Sequence, residues 1–269
     1  MKPLFSELHP LLRYFPGFLL VMILLPDAAY SQEGRFIGAW GGPQYVAIHN
    51  TDDYIGRDVS TTSTLGWGGG LSYLNQEGRV GFRSGLLYSI QGQAYHGEYS
   101  FIDDEEDEIE SDYESELTLE YIKLPLLFNF RSEYEGEGTV NLNMYAGLQL
   151  SFLTSASMET TPPYTEAAST PNMRDLFNTL DYSFVTGANF NYWFTEDWAF
   201  MFGVRFDRTL GNMENHSYEF SDEYPLEYYF PVSTKKSSRP DQRDMENRDP
   251  SKNLAITLQL GLQFRISEH

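Results

Sequence analysis

Residues 140–152 read VNLNMYAGLQLSF. Val140, Leu142, Met144, Ala146, Leu148, Leu150 and Phe152 alternate without a break with Asn141, Asn143, Tyr145, Gly147, Gln149 and Ser151. A period of two belongs to an extended chain, whose successive side chains point to opposite faces, whereas a helix gathers every third and fourth residue. The stretch is therefore a two-faced strand. In a soluble sheet the polar face meets bulk water and usually carries Lys, Glu and Arg. Here it carries amides, a hydroxyl, a phenol and a glycine, which raises the question of whether the apolar face meets protein or lipid.

The same period recurs along the chain and predicts eight strands, each about long enough to cross a thin hydrocarbon layer when tilted. The first, near Arg35 to Tyr45, is Gly-rich and its register is open. The second, Thr64 to Leu74, sets Leu65, Trp67, Leu71 and Tyr73 against Thr64, Gly66, Gly68, Gly70 and Ser72. The third, Val80 to Ala94, sets Val80, Phe82, Leu86, Tyr88 and Ile90 against Gly81, Arg83, Gly85, Ser89, Gln91 and Gln93. In the fourth, Thr118 to Phe130, Ile122, Leu124, Leu126 and Phe128 oppose Tyr121, Lys123, Pro125 and Asn129. Pro125 lacks a ladder donor, so a bulge or a local weakening is expected there. The fifth is the stretch quoted above; the sixth, seventh and eighth are Asp181–Phe194, Trp198–Thr209 and Asn253–Ile266. The eighth alternates seven apolar residues, from Leu254 to Ile266, with Ala, Thr, Gln, Gly and Arg.

Between these strands short connections (75–79, 131–138, 195–197) take turns with long ones at about 46–63, 95–117, 155–180 and 210–252. A compact soluble domain seldom carries four loops of that size. Up-and-down barrels of the outer membrane do, with tight periplasmic turns and long extracellular loops. The expected fold is therefore all-β, an eight-stranded antiparallel up-and-down transmembrane β-barrel. Hydrocarbon demands that every backbone N–H and C=O be paired, and a closed sheet pairs them all. The apolar faces carry no charge in their central stretches; Arg83, Lys123, Asp181, Arg205, Asp207 and Arg265 all fall on the opposite faces. A lipid-facing Arg or Lys at mid-bilayer costs roughly 2–4 kcal/mol, so these six are expected to form a polar cluster in the lumen. Tyr73, Tyr192, Trp193 and Trp198, near strand ends, are assigned to interfacial girdles.

The N-terminus fits an exported protein. Lys2 and Arg13 flank an apolar run from Phe15 to Leu25, and Ala29 and Ser31 precede Gln32 with signal-peptidase spacing. Residues 1–31 read as a cleaved signal peptide and 32–269 as the barrel domain; the run is too short for a membrane helix, which needs roughly 20 residues. There is no cysteine, hence neither a disulfide framework nor a thiol for lipidation. With 39 acidic against 18 basic residues, the net charge of -21 argues against a nucleic-acid partner.

The segments GLLYSIQGQAY (85–95), LEYIKLPLLFNF (119–130), NMYAGLQLSFL (143–153), GANFNYWF (187–194), FGVRFDRTLGN (202–212) and LQLGLQFR (258–265) resemble the PorT-like outer-membrane β-barrel proteins of the Bacteroidetes type. The most specific pieces are Tyr121, Ile122, Leu124 and Pro125, together with Gly203–Arg205. The resemblance implies a membrane-embedded barrel and, for a few members, a part in protein secretion or surface assembly. Lys123 stands where the family commonly has an acidic residue, so no interior ion pair is carried over at that position.

Three regions outside the strands invite a functional reading. The acidic run 103–116 is either a site for a divalent cation or a cationic partner, or a solvated loop spread by self-repulsion; without Gly-punctuated ligand spacing, the solvated loop is favoured. Residues 218–232 interleave aromatics with acids and 235–248 are basic, which reads as a hairpin extending the barrel or as a binding surface. His49, His96 and His216 are scattered, so no catalytic residue, metal ligand or cofactor is assigned. Eight strands enclose just enough room for side chains, so a plugged lumen is expected. The expected role is structural or surface-interacting, with outer-membrane lipid and lipopolysaccharide, and a protein met through the outer loops, as partners. A secretion component, a narrow solute channel and a soluble lipocalin-like barrel are the alternatives.

Overall fold

β1 (Gly34–His49) is held between β2 (Ser60–Glu77) and β8 (Lys252–Glu268), and its ladder with β8 closes the sheet. Around the circle run β3 (Val80–Ile102), β4 (Glu108–Arg131), β5 (Val140–Thr161), β6 (Leu180–Trp193) and β7 (Trp198–Thr209), each antiparallel to its chain neighbours. The computed structural model describes residues 34–50, 60–102, 108–132, 137–161, 168–169, 173–215 and 250–268. The eight strands form a closed antiparallel barrel, as the alternation predicts. The proposed leader, most of 210–252, His216 and residues 103–107 of the acidic run lie outside the described residues.

Within the belt the apolar sets of β2 to β8 face outward. Leu65, Trp67 and Leu71 of β2, Leu86 of β3, Phe128 of β4, Leu148 of β5, Phe190 of β6, Phe202 of β7 and Leu260 of β8 are all exposed. A belt this wide on a protein dissolved in water would be a large sticky patch; against acyl chains it is the matching surface. It also answers the soluble-barrel alternative, which requires the apolar faces inside. The tight β2–β3 turn depends on Gly78, whose φ of 62° lies in the left-handed region. Pro125 weakens the wall without bending it: the β3–β4 ladder jumps from Ser84↔Leu126 to Leu87↔Lys123 with no register shift. The β4–β5 irregularity lies elsewhere, between Glu120 and Tyr121.

Two expectations fail. Trp193 does not sit in an interfacial girdle; it is 0 % exposed and points into the barrel. Tyr192 is the lipid-facing neighbour, and strict alternation puts Trp193 on the other face. The loops expected at 46–63, 95–117 and 155–180 are shorter than supposed, because the strands overrun them: β3, β4 and β5 have 23, 24 and 22 residues, about twice what a crossing needs. Residues 108–116 of the acidic run thus belong to a strand rather than a loop.

The overrun has a physical cause on the inner face. Beyond the lipid belt the inward side chains turn apolar: Ile48, Tyr95, Leu117, Leu119, Leu153 and Met158 form one buried cluster, roofed by Met173, Leu176, Phe177 and Met213. Burying one such side chain contributes roughly 1.5–3 kcal/mol, which supports strands that no bilayer surrounds. Polar groups pin the roof in place. The Asn178 backbone N–H donates to the Met213 carbonyl at 2.8 Å and the Asn215 N–H to the Leu176 carbonyl at 2.8 Å, while the Asn178 side-chain amide donates to the carbonyls of Asn212 and Glu214 at 2.8 and 2.9 Å.

The lipid belt and the projecting strands should answer differently to the same charge. Leu260→Arg, in the middle of the belt, is expected to lower the stability of the barrel in phospholipid bilayers by about 2–4 kcal/mol, measured by reversible denaturant unfolding. Ser157→Arg, on the outer face of β5 above the belt, is expected to change it by no more than about 0.5 kcal/mol.

Candidate functional site

All six residues assigned to the lumen are buried inside the barrel, none more than 7 % exposed. They do not form one cluster. Lys123 on β4 and Arg205 and Asp207 on β7 meet directly, because two-residue spacing puts Arg205 and Asp207 on one inner face and Lys123 reaches them across the lumen. Lys123 Nζ donates to Asp207 Oδ2 at 3.2 Å and Arg205 Nε to Asp207 Oδ1 at 2.7 Å. The Gln149 amide adds a longer bond to the same carboxylate at 3.4 Å, and its oxygen accepts from the Arg205 guanidinium. The interior ion pair withheld at Lys123 therefore exists, with Asp207 as the acid. A buried charge is tolerated when it is paired and its remaining lone pairs are filled, and Asp207 meets that condition.

Asp181 stands apart, accepting from the Tyr182 N–H at 2.8 Å and the Thr209 hydroxyl at 3.1 Å. Between it and the Lys123–Asp207 pair lies a small cavity lined also by Gln91, Tyr121, Ser151 and Asn253, with room for about one water. Arg83 lies toward the short-turn end, donating to Asn189 Oδ1 at 3.2 Å with its guanidinium carbon 5.0 Å from the centre of the Tyr145 ring. Tyr145 in turn donates to Gln259 at 2.6 Å. Its ring fits because Gly187 faces it across the β5–β6 ladder, where a Cβ would run into the phenol. Arg265 is lower still, against Trp193.

The amides complete the filling. Asn189 donates to Asn191 at 2.7 Å, Asn191 to Gln263 at 2.6 Å, and Trp193 Nε1 to Asn141 at 3.1 Å. The floor is a second apolar cluster of Phe36, Leu74, Trp193 and Ala199. Arg131 lies over both aromatic rings, 4.6 Å from the Phe36 centroid and 5.2 Å from that of Trp193. Arg131 escapes a reading that ends the fourth strand at Phe130. Extending the same odd-numbered face (Tyr121, Lys123, Pro125, Asn129) by one step finds it. The lumen is thus layered: apolar roof, polar middle, apolar floor.

Outside the barrel, β4 carries Glu114 and Glu116 and β5 carries Glu159 on an exposed face above the belt, with Glu116 directly opposite Glu159 in the ladder. Among the described residues no group of three His, Asp or Glu is arranged to hold a metal ion. Ladder pairing does bring Ser60, His96 and Glu114 into one row. The Ser60 hydroxyl, however, donates to the His96 backbone carbonyl at 3.5 Å and not to the imidazole, which stands 3.9 Å from the Glu114 carboxylate.

Residues 30–215 match the family model described as outer membrane protein beta-barrel domain. The chain belongs to that family and its place is the bacterial outer membrane. No curated protein matches it. Among solved structures it is similar to neisserial surface protein A, at 10 % identity over 89 % of this chain and 100 % of that one (TM-score 0.38). It is also similar to OprG from Pseudomonas aeruginosa, at 11 % identity over 88 % and 97 % (TM-score 0.38), and to Ail of Yersinia pestis, at 11 % identity over 87 % and 100 % (TM-score 0.32). Likeness this distant transfers no role.

The Asp207 hub makes a quantitative prediction. Asp207→Asn leaves two buried cations without their acid and is expected to cost about 3–5 kcal/mol. Lys123→Met keeps the Arg205–Asp207 pair and is expected to cost clearly less. Unfolding of both variants in bilayers checks the order.

Proposed function

We propose that this member of the outer membrane protein beta-barrel domain family is a sealed, non-enzymatic surface protein. Its working part is the wall of β3, β4 and β5 that stands beyond the membrane. The observation that carries this reading is the combination of a lumen filled from roof to floor with three strands about twice the crossing length. Strands of that length are not needed to span lipid, and a filled interior is not built to pass solute. The exposed carboxylates of Glu114, Glu116 and Glu159 suit a cationic protein surface as partner, and the lipid belt suits outer-leaflet lipid. Within the family, the likeness of the Tyr121-Ile122, Leu124-Pro125 and Gly203–Arg205 segments to those of PorT-like proteins supports reading the chain as a barrel of that kind. The leader through Ser31 is removed on export.

The row of Ser60, His96 and Glu114 does not read as a catalytic triad. A nucleophilic serine needs its hydroxyl bonded to a base and an oxyanion hole beside it, and here the hydroxyl is spent on a carbonyl, on an open sheet face.

In planar bilayers the barrel is expected to show no steady conductance. A well-defined open channel in the wild type would count against the sealed lumen. Proteoliposomes of zwitterionic lipid bearing the barrel are expected to bind polylysine, and Glu114→Gln/Glu116→Gln/Glu159→Gln is expected to weaken that binding by roughly tenfold or more at low salt, with less difference as ionic strength rises. Binding unchanged by the triple variant would remove the wall from the reading.

A further inference from the structure

The rim of the lipid belt is electrically lopsided. On β4 the first charged residue above the belt is Glu120, two residues past Ile122, with Glu116 and Glu114 further up the same face. On the opposite side of the barrel the order of charge is reversed. Arg208 follows Phe206 on β7 and Lys252 precedes Leu254 on β8, in each case two residues beyond the last lipid-facing apolar side chain, and His49 ends β1. The register gathers these three. Arg208 pairs with Leu254, Leu254 with Ala47, and Lys252 directly with His49, so the two cations and the imidazole occupy the top two rows of adjacent strands. One row below, Phe206, Ile256 and Tyr45 are still apolar.

From this we infer that Arg208, Lys252 and His49 form a site for the phosphate groups of outer-leaflet lipid. The chemistry is that of a headgroup. A phosphate borne on acyl chains needs donors immediately above an apolar surface, and the arrangement of Phe206, Leu254 and Ile256 beneath Arg208 and Lys252 supplies both. Arg offers a planar fork suited to phosphate oxygens, Lys a mobile point charge. The overall balance sharpens the case. A chain with a net charge of -21 is repelled by an anionic leaflet unless its few cations stand at headgroup height. On β7 and β8 they do, while the carboxylates of β4 and β5 rise on the far side. The barrel is thereby gripped by anionic lipid along one flank and freed of it along the other, which leaves the acidic wall open to a partner. This site rests on the outer-membrane location and is independent of what binds the wall.

Native mass spectrometry of the detergent-solubilised barrel tests it, with diphosphoryl lipid A, phosphatidylcholine and inorganic phosphate as probes. Wild type is expected to retain lipid A in preference to phosphatidylcholine, and Arg208→Gln/Lys252→Gln to lose that retention by about tenfold or more, given roughly fivefold per cation. Glu114→Gln/Glu116→Gln is expected to retain lipid A as wild type does. Both variants lie on the exposed surface, and unchanged mobility of the unboiled protein in SDS reports that the barrel is intact; the single variant Lys252→Gln, expected to show an intermediate loss, serves if the double variant does not fold. Equal retention by the cation variants and wild type overturns the proposal, as does equal retention of phosphatidylcholine. Displacement of lipid A by inorganic phosphate at equal concentration overturns the lipid source. Loss of the SDS-resistant form in the wild type would instead strike at the barrel itself.

Discussion

The ladder between β1 and β8 imposes the condition from which the rest follows. Once the sheet closes, every strand has two neighbours and no backbone group need face hydrocarbon unpaired. Closure also fixes the interior. Eight strands enclose a volume that side chains can fill but that leaves no wide channel, and the inner faces must then supply groups that satisfy one another. Asp207, bonded by Lys123, Arg205 and Gln149, is the central case, and the amide chain through Asn189, Asn191 and Gln263 is its extension toward the short turns.

Layering explains how so polar an interior remains shut. Polar groups in the middle are sealed from the short-turn side by Phe36, Leu74 and Trp193 and from the loop side by the methionines and leucines under the Met173–Leu176 turn. Arg131 and Arg265 bring their guanidinium groups over aromatic rings at the floor, where the ring faces attract the charge. The upper cluster has a second effect, since the same side chains that close the mouth hold β3, β4 and β5 together beyond the lipid. Sealing the barrel and raising the wall are one piece of packing.

Much of this was legible from alternation alone. Strand number, antiparallel order and the inward set Arg83, Lys123, Asp181, Arg205, Asp207 and Arg265 follow from a period of two joined to the cost of charge in lipid. What was not legible has two physical sources. Above the belt the alternation on β4 changes sides: Leu117, Leu119 and Tyr121 face inward while Glu116, Thr118 and Glu120 face outward, the reverse of Ile122 and Leu124 below them; a strand read by one apolar face ends where that face switches, which hides the overrun and the upper cluster. Pairings across the lumen, such as Lys123 with Asp207 or Tyr145 with Gln259, depend on strand stagger, which a single strand's pattern does not encode. Trp193 is a different case: its alternation with Tyr192 points it inward, and the usual preference of tryptophan for membrane interfaces does not override the pleat.

The four tryptophans provide a direct test of the orientation on which all of this stands. Trp67 and Trp198 lie on the outer face, 57 % and 42 % exposed, and Trp193 is fully enclosed. Single-tryptophan variants, the others replaced by Phe, can be folded into bilayers of brominated lipid and their fluorescence compared with that in unbrominated lipid. Strong quenching of Trp67 with Trp193 unaffected is the predicted result. Quenching of Trp193 as deep as that of Trp67 would mean that the faces of the barrel are not divided between lipid and lumen as described.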